Sequence, residues 1–278
     1  MKKSKMFTIT NKEKLADKVY LFEVNAPRIA KKAEPGQFVI VRQAENSERI
    51  PLTIADFDRK NNSITLVVLE TGYSTSQMAK LTTGNSFLDI AGPLGHPSEI
   101  PSGETVLMVA GGLGIAPVFP IARKLKNAGN KVISIIGARN KDLLFWQDRM
   151  GKVSDELLVA TDDGSLGHKG FVTDLVVDKI KNKNIDRVFA IGPGVMMNAV
   201  ARVVPEEIEL TVSLNALMVD GTGMCGGCRV SVGGETKFTC VDGPEFNGHK
   251  VDFEEFLMRH KIYKNEEEHI CKLGKDLS

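Results

Sequence analysis

Residues Thr105 to Ala122, TVLMVAGGLGIAPVFPIA, give the clearest indication of the fold. Its first half is typical of a buried strand, its glycines of a tight turn, and its second half of the start of a helix. The 18 residues are long enough for a membrane span, but three glycines and two prolines disfavour that alternative. We therefore predict a strand, a glycine loop and a helix.

The same rhythm continues downstream, where apolar runs alternate with segments of helical periodicity. The predicted strands are TVLMVAG, KVISIIG, ELLVAT and RVFAIG, and the predicted helices are PVFPIARKLKNAG, LLFWQDRM and FVTDLVVDKIKN. This alternation predicts a parallel sheet with helices on both faces over residues 101–207. Ligands of such folds bind at the carboxyl ends of the strands.

Two further units flank this sheet. Residues 1–100 contain short apolar runs separated by turn residues, namely VYLFEV, QFVIVR, PLTIAD, ITLVVL and SFLDIAG. Their spacing predicts a small antiparallel β-barrel. Residues 208–278 are rich in Gly and Cys and predict a small C-terminal lobe, which a bound metal would help to stabilise. The predicted fold class is therefore β + α/β, with a barrel, a parallel-sheet domain and a lobe.

The composition and the N-terminal residues indicate which binding partners and which cellular compartment to expect. A formal net charge of +1 over 278 residues gives no reason to expect nucleic acid or an anionic membrane as a partner. The lysines of MKKSKMFTIT are not followed by the apolar core of a signal peptide, so we expect a cytoplasmic protein. Three of the four cysteines fall within sixteen residues, which indicates metal-ligating thiols rather than disulfides.

These cysteines lie in VDGTGMCGGCRVSVGGETKFTC. Two residues separate Cys225 from Cys228, eleven separate Cys228 from Cys240, and Asp220 precedes Cys225 with four residues between. Plant-type 2Fe–2S loops share this spacing, with a cysteine where Asp220 stands. A structural zinc site with the same donors is the alternative, although zinc usually takes two paired knuckles. Asp220 is either a ligand or a turn residue, and Cys271 is expected to be a spare thiol.

Three loops at predicted strand ends indicate a nucleotide. The first, AGGLGIAP, would hold a pyrophosphate against a helix N-terminus through Gly111, Gly112, Gly114, Ala116 and Pro117. In the second, Asp162 and Asp163 would accept ribose hydroxyls and repel a 2′-phosphate, which favours NAD(H), unless they form only a solvated turn. Arg139 argues mildly for the opposite preference. The third loop carries Gly192 and Pro193.

On these motifs the chain resembles the ferredoxin–NADP reductase superfamily. Within it, the chain is similar to the electron-transfer subunits of dihydroorotate dehydrogenases. It is also similar to the small subunits of electron-bifurcating NADH-dependent ferredoxin:NADP oxidoreductases, which are also known as beta subunits of sulfide dehydrogenase. The resemblance covers nearly the whole chain. It implies that FAD binds the barrel, NADH the parallel sheet and a 2Fe–2S cluster the lobe.

The resemblance also implies a set of flavin contacts. RIPLTIAD matches the family's FAD motif through Arg49, Pro51, Leu52 and Thr53, with the arginine one place earlier than usual. Thr53 would place its hydroxyl near flavin N5, where hydride arrives, and is the candidate catalytic residue. TGYSTSQMA matches the family's pyrophosphate turn and implies contacts from Gly72, Ser74 and Thr75.

The first ligand of the cluster loop separates the two branches. The small subunits of the bifurcating enzymes resemble this chain in carrying Asp where the dihydroorotate dehydrogenase subunits carry Cys. The resemblance therefore implies Asp220, Cys225, Cys228 and Cys240 as ligands, and a large partner subunit with another flavin and iron–sulfur clusters that reduces ferredoxin or NADP. The alternatives are a dihydroorotate dehydrogenase subunit and, from another class, a non-catalytic binding module stabilised by zinc.

Overall fold

Six antiparallel strands form the first unit in the computed structural model, which describes residues 6–263, 266, 269 and 270. They are β1 (Ile9–Ala16), β2 (Val19–Asn25), β3 (Phe38–Arg42), β4 (Arg49–Asp58), β5 (Ser63–Leu69) and β6 (Asp89–Leu94), in the order β1-β2-β5-β4-β3-β6. The Ile9 amide of β1 donates to the carbonyl of Asn85, in the segment before β6, over 2.8 Å and so connects the two edges of the sheet. The predicted barrel is confirmed, with helices α1 (Pro27–Lys32) and α2 (Tyr73–Lys80) between its strands.

The second unit is a sheet of six parallel strands with one antiparallel strand at its edge. Its parallel strands are β7 (Thr105–Gly111), β8 (Lys131–Ala138), β9 (Glu156–Thr161), β10 (His168–Lys169), β11 (Arg187–Ile191) and β12 (Glu209–Ser213), in the order β10-β9-β8-β7-β11-β12. Its helices are α3 (Ile115–Asn127), α4 (Gln147–Val153), α5 (Val172–Asn182) and α6 (Gly194–Val203). The strand order reverses between β7 and β11, which places a crevice at their carboxyl ends.

The stretch from Thr105 to Ala122 folds as predicted. It forms β7, a short glycine loop and the first half of α3. Among the residues that the structure describes, no helix is long and apolar enough to cross a membrane. The helix predicted over LLFWQDRM begins later and ends later than expected, because Trp146 has a φ of 56° and α4 runs from Gln147 to Val153.

In the chain, the cysteine-rich lobe is inserted between two strands that are neighbours in the sheet. It contains β13 (Arg229–Val232), β14 (Glu235–Phe238) and α7 (Thr239–Asp242), and it is followed by β15 (Glu245–Asn247) and α8 (Phe253–Arg259). β15 pairs antiparallel with β12, with Ser213 opposite Glu245. The parallel-sheet unit therefore contains segments on both sides of the boundary predicted after residue 207. Cys271 lies outside the described residues.

Helix α3 fixes the barrel against the sheet. Its Arg123 makes two hydrogen bonds, of 2.6 and 3.1 Å, to the carboxylate of Asp56 in β4. The next residue, Lys124, contacts Glu34 of the barrel at 2.5 Å. A bidentate arginine–carboxylate pair has a defined geometry, so it sets the orientation as well as the distance. As a result, α3 packs against β4, and the glycine loop before it contacts β5.

Candidate functional site

A cleft of about 780 Å³ runs between the barrel and the carboxyl ends of the parallel strands. Twelve of the predicted cofactor-binding residues line it: Pro51, Leu52, Thr53, Gly111, Gly112, Gly114, Ala116, Pro117, Arg139, Asp162, Gly192 and Pro193. The cleft therefore brings the flavin motif of β4 together with all three nucleotide loops. The predicted residues that do not line it are Arg49, Gly72, Ser74, Thr75 and Asp163.

Gly114 allows the glycine loop to approach the neighbouring strand. A Cβ atom at this position would lie 2.0 Å from the Ile191 carbonyl oxygen and 3.0 Å from the Gly192 Cα. Both are backbone atoms of the crevice between β7 and β11, so only glycine fits without a shift of the loop. This close approach brings the N-terminus of α3, a site suited to an anionic phosphate, to the cleft.

The cleft also contains residues that the sequence motifs missed. Phe38 of β3 lies opposite Thr53 of β4 in the strand register, and both line the cleft. Asn215 and Met218 line it from the segment that leads into the cysteine loop. Phe38 could have been found by pairing QFVIVR with RIPLTIAD, whereas Asn215 and Met218 carry no local signal.

The two predicted ribose carboxylates differ in position. Asp162 lines the cleft, as does Arg139. Asp163 instead accepts the Ser165 amide over 2.9 Å, and hydrogen bonds from the hydroxyl and amide of Ser165 hold the pKa of Asp163 below its usual range. The structure thus leaves Asp162 as the acidic side chain that a nucleotide in the cleft would meet.

The N-terminus of α2 has the properties of an anion site. The Ser74 hydroxyl donates to the carboxylate of Glu48, so an acidic group already lies where the sequence predicts a phosphate. The Thr75 hydroxyl accepts from the amides of Thr71 and Gly72, both at 3.0 Å. At the end of β3, the buried Nε of Arg42 has no hydrogen-bond partner. A buried N–H group without an acceptor is costly, and an anionic group within reach would satisfy it.

Arg49 contacts the segment that leads into the cysteine loop. Its Nε donates to the Val219 carbonyl over 2.8 Å, and its Nη1 lies 3.9 Å from the carboxylate of Asp89. Val219 immediately precedes Asp220. The side chain therefore joins the barrel to the cysteine loop instead of lining the cleft.

A β-hairpin brings two of the predicted ligands together. Cys228 immediately precedes β13 and Cys240 follows β14, and Arg229 pairs with Phe238 across the hairpin. The register therefore places the two sulfurs close together, at 3.2 Å. Both thiols are buried, and burial, together with the neighbouring Cys228 thiol, raises the pKa of Cys240 to about 12. A free Cys240 would stay protonated at neutral pH, so a bound metal would have to displace its proton.

The other two predicted ligands form a second pair in the loop. The carboxylate of Asp220 accepts the amides of Thr222 and Cys225 over 2.9 and 2.8 Å, and these bonds, led by Thr222, lower its pKa. Cys225 is exposed. In the described part of the chain, no three His, Cys, Asp or Glu side chains are close enough to hold a metal ion. The predicted ligands are thus arranged as two pairs rather than as one closed set.

Glu245 is a largely buried carboxyl group at the junction of the barrel, the sheet and the lobe. It accepts the Ser98 hydroxyl over 2.6 Å, and burial raises its pKa to about 7. Gly36 of the barrel lies against the same pair, since a Cβ there would be 2.3 Å from the Ser98 Oγ and 3.0 Å from the Glu245 Oε1. No motif predicted this group.

We expect Glu245→Gln to stabilise the protein at pH 8 but not at pH 4.5. Burial raises the pKa of Glu245 from 4.5 in the unfolded chain to about 7 in the folded protein. The free energy of unfolding therefore decreases as pH rises from about 4.5 through about 7, because the folded protein must then bury a charged carboxylate. After a discount for partial exposure, the penalty at pH 8 is about 2 kcal/mol. Urea unfolding at both pH values measures it. The exposed Glu235→Gln is the control, and an equal gain from Glu245→Gln at both pH values would contradict the prediction.

Comparisons with known proteins find similarity in both the parallel-sheet unit and the cysteine lobe. Residues 108–202 match the oxidoreductase NAD-binding domain, and residues 215–252 match the iron–sulfur cluster binding domain of dihydroorotate dehydrogenase B. A Thermotoga maritima protein, a homologue of the electron-transfer subunit of dihydroorotate dehydrogenase B (NAD(+)), is 46% identical over 93% of this chain and 92% of its own. The Fusobacterium nucleatum electron-transfer subunit is 32% identical over 89% of this chain and 98% of its own.

Two solved structures are also similar to this chain. A structure of NADH-dependent reduced ferredoxin–NADP oxidoreductase, studied for flavin-based electron bifurcation, is 44% identical with a TM-score of 0.92, and the match covers 100% of both chains. Phthalate dioxygenase reductase shares the fold at 18% identity, with a TM-score of 0.57 over 81% of this chain and 85% of that one.

The barrel, the nucleotide sheet and the cysteine lobe thus define an oxidoreductase subunit for electron transfer, with FAD, NAD(H) and an iron–sulfur cluster as cofactors. The chain belongs to the family of dihydroorotate dehydrogenase B electron-transfer subunits and their homologues.

Proposed function

We propose that this chain is the NADH- and FAD-binding subunit of an electron-bifurcating NADH-dependent ferredoxin:NADP oxidoreductase. One observation carries the proposal: a single cleft is lined by β4 of the barrel, by the three nucleotide loops and by Asn215 and Met218, which lead into the cysteine loop. Such a cleft suits a route from a nicotinamide to a flavin and then to a cluster. Reduced thiols in the lobe suit a cytoplasmic protein.

The parallel sheet supplies the nucleotide contacts in this proposal. Amides of Gly112 and Gly114, with the N-terminus of α3, would bind the pyrophosphate. Asp162 would accept the ribose hydroxyls, and Gly192 would leave room for the nicotinamide end. The contact between α3 and β4 then holds the nicotinamide site close to Thr53.

The barrel supplies the flavin contacts. Thr53 would direct its hydroxyl to flavin N5, with Pro51 and Leu52 beside it. The anion site formed by Ser74, Thr75 and the N-terminus of α2 would receive the pyrophosphate in place of the Glu48 carboxylate, and Arg42 is a cation that the sequence motifs did not include. When bound, FAD and NAD(H) supply hydride transfer, and the cluster supplies one-electron transfer.

The lobe supplies the ligands of the cluster. A 2Fe–2S cluster contains two iron ions, and the two pairs, Asp220 with Cys225 and Cys228 with Cys240, match that number. The lowered pKa of Asp220 keeps its carboxylate ionised, as a ligand must be. The exposed Cys225 is on the side from which a partner subunit could accept electrons.

The native complex tests this proposal. We expect the purified complex to contain flavin and iron–sulfur absorbance, to include a larger flavin and iron–sulfur subunit, and to couple NADH to ferredoxin and NADP. Turnover of dihydroorotate with NAD would instead assign the chain to the alternative, a dihydroorotate dehydrogenase like those of its relatives. A colourless protein that contains zinc would contradict both assignments.

We expect Asp162→Ala to reduce the preference for NADH over NADPH. The substitution removes an acceptor for ribose hydroxyls and a charge that repels a 2′-phosphate, while Arg139 remains in the cleft. The ratio of kcat/KM for NADH to that for NADPH should fall about tenfold or more, since one such contact is worth about 1.5 kcal/mol. Asp163→Ala is the matched control, because Asp163 is held in the turn by Ser165. Equal effects of the two substitutions would contradict the assignment of Asp162.

A further inference from the structure

Arg49 connects two parts of the chain that the proposed electron route must join. It begins β4, the strand that carries Thr53, and its Nε donates to the Val219 carbonyl over 2.8 Å. The two residues are 170 positions apart in the sequence, so the bond is a tertiary contact. It ends one residue before Asp220, the first predicted ligand of the cluster.

The cysteine loop packs directly on the barrel beside this bond. Gly221 has a φ of 76°, and a Cβ there would lie 2.8 Å from Leu94 and 3.0 Å from Ile40. Phe38 and Ile40 of β3 also share one hydrophobic core with Met218, Cys228 and Cys240. The loop is therefore in contact with the barrel on both sides of Asp220, and Arg49 supplies the hydrogen bond at this contact.

The charge of Arg49 is only weakly balanced by other groups. Its nearest carboxylate among the described residues, that of Asp89, is 3.9 Å away and 44% exposed, which is too far for a hydrogen bond. The guanidinium itself is about one-third exposed. Its positive charge is therefore only partly screened where it meets the cysteine loop.

We propose that Arg49 is a positioning residue for the cluster loop, which anchors the Val219 carbonyl and favours the reduced state of the cluster by its positive charge. This inference rests on the proposed 2Fe–2S site. Reduction adds one electron to a centre whose four predicted ligands are all anionic when bound. A fixed cation beside the loop lowers the cost of that added charge, and groups next to the ligands are known to tune metal sites in this way. The sequence instead predicts Arg49 as a contact of the FAD phosphate.

The midpoint potential of the cluster, measured in the native complex by redox titration with EPR detection, tests the inference. We expect Arg49→Gln to lower the potential, so that the ratio of reduced to oxidised cluster at the wild-type midpoint falls at least threefold. This is about 28 mV at 59 mV per tenfold change for a one-electron couple. Arg49→Lys keeps the charge but loses the planar donor geometry, so its shift should be smaller.

Arg59→Gln is the matched control. Arg59 lies on the same barrel, donates to the backbone carbonyl of Ala33 over 2.9 Å and pairs with Glu34, which gives it a similar set of bonds away from the cysteine loop. Its removal should leave the cluster potential and EPR signal unchanged. Loss of the cluster from Arg49→Gln but not from Arg59→Gln, with flavin retained, would also support the anchoring role.

Two results would overturn the inference. One is a cluster potential in Arg49→Gln that shifts no more than in Arg59→Gln. The other is loss of flavin from both Arg49 variants with an unchanged cluster potential, which would return Arg49 to the FAD phosphate. Absence of any 2Fe–2S signal from the wild-type complex would be a failure of the proposed function instead, so the two failures are distinguishable.

Discussion

Serine in place of Cys228 is expected to remove the iron–sulfur cluster and to leave the flavin bound. Cys228 and Cys240 form one of the two proposed ligand pairs, held by the register of β13 and β14 with the sulfurs 3.2 Å apart. Serine is a poor iron ligand at neutral pH because its hydroxyl stays protonated. The residues proposed for flavin lie on the barrel, outside this hairpin. Iron and sulfide should therefore fall by about two atoms each per copy of this chain.

Metal analysis, EPR and the absorbance spectrum measure this outcome. Cys271→Ser is the control, because the sequence predicts Cys271 to be a spare thiol, and its iron content should equal that of the wild type. Unchanged iron in Cys228→Ser would contradict the assignment. Zinc in place of iron in the wild-type protein would favour the structural zinc site, which the same donors could also form.

Alanine in place of Gly114 is expected to disable the use of NADH. The added methyl would lie 2.0 Å from the Ile191 carbonyl oxygen, which is backbone and cannot rotate away as a side chain would. The loop must therefore shift, and a displacement of about 1 Å at a nucleotide site can cost about 100-fold in rate. We expect kcat/KM for NADH, with an artificial electron acceptor, to fall by at least about 100-fold, or about 2.7 kcal/mol.

The flavin and iron contents separate this local effect from unfolding, since both should stay at wild-type values. Gly151→Ala is the matched control: Gly151 lies in α4, and a Cβ there would approach only Leu157, at 3.9 Å. That substitution should leave NADH kinetics unchanged. A kcat/KM within about threefold of wild type for Gly114→Ala would show that the loop tolerates the methyl group.

The parts of the fold that were predictable are those with a strong local pattern. The apolar runs of the parallel sheet are buried on both faces, so their residues are nearly all hydrophobic and easily recognised. β1 was missed because its central residues are charged and exposed, in the sequence ITNKEKLA. β15 was missed because it has only three residues and pairs with β12 across the whole lobe.

The residues of the candidate site also divide into those that a local pattern predicts and those that only the structure shows. The glycine loops at strand ends were predictable because parallel strands bring their carboxyl ends to one edge. The direction of Arg49 was not, since the motif supplies a residue type but not the partner 170 positions away. The difference between Asp162 and Asp163 also required the structure, because it depends on the turn that Ser165 closes.

The pairing of β12 with β15 has a consequence for the rate at which electrons leave the flavin. Both ends of the cysteine lobe enter neighbouring strands of one sheet, so the lobe has two fixed attachments and no single hinge. A domain on one flexible tether can swing between donor and acceptor, and its motion then limits the rate. Here, two chain connections hold the lobe against the sheet. Electron transfer within the subunit should therefore occur over a constant distance, without waiting for a conformational change.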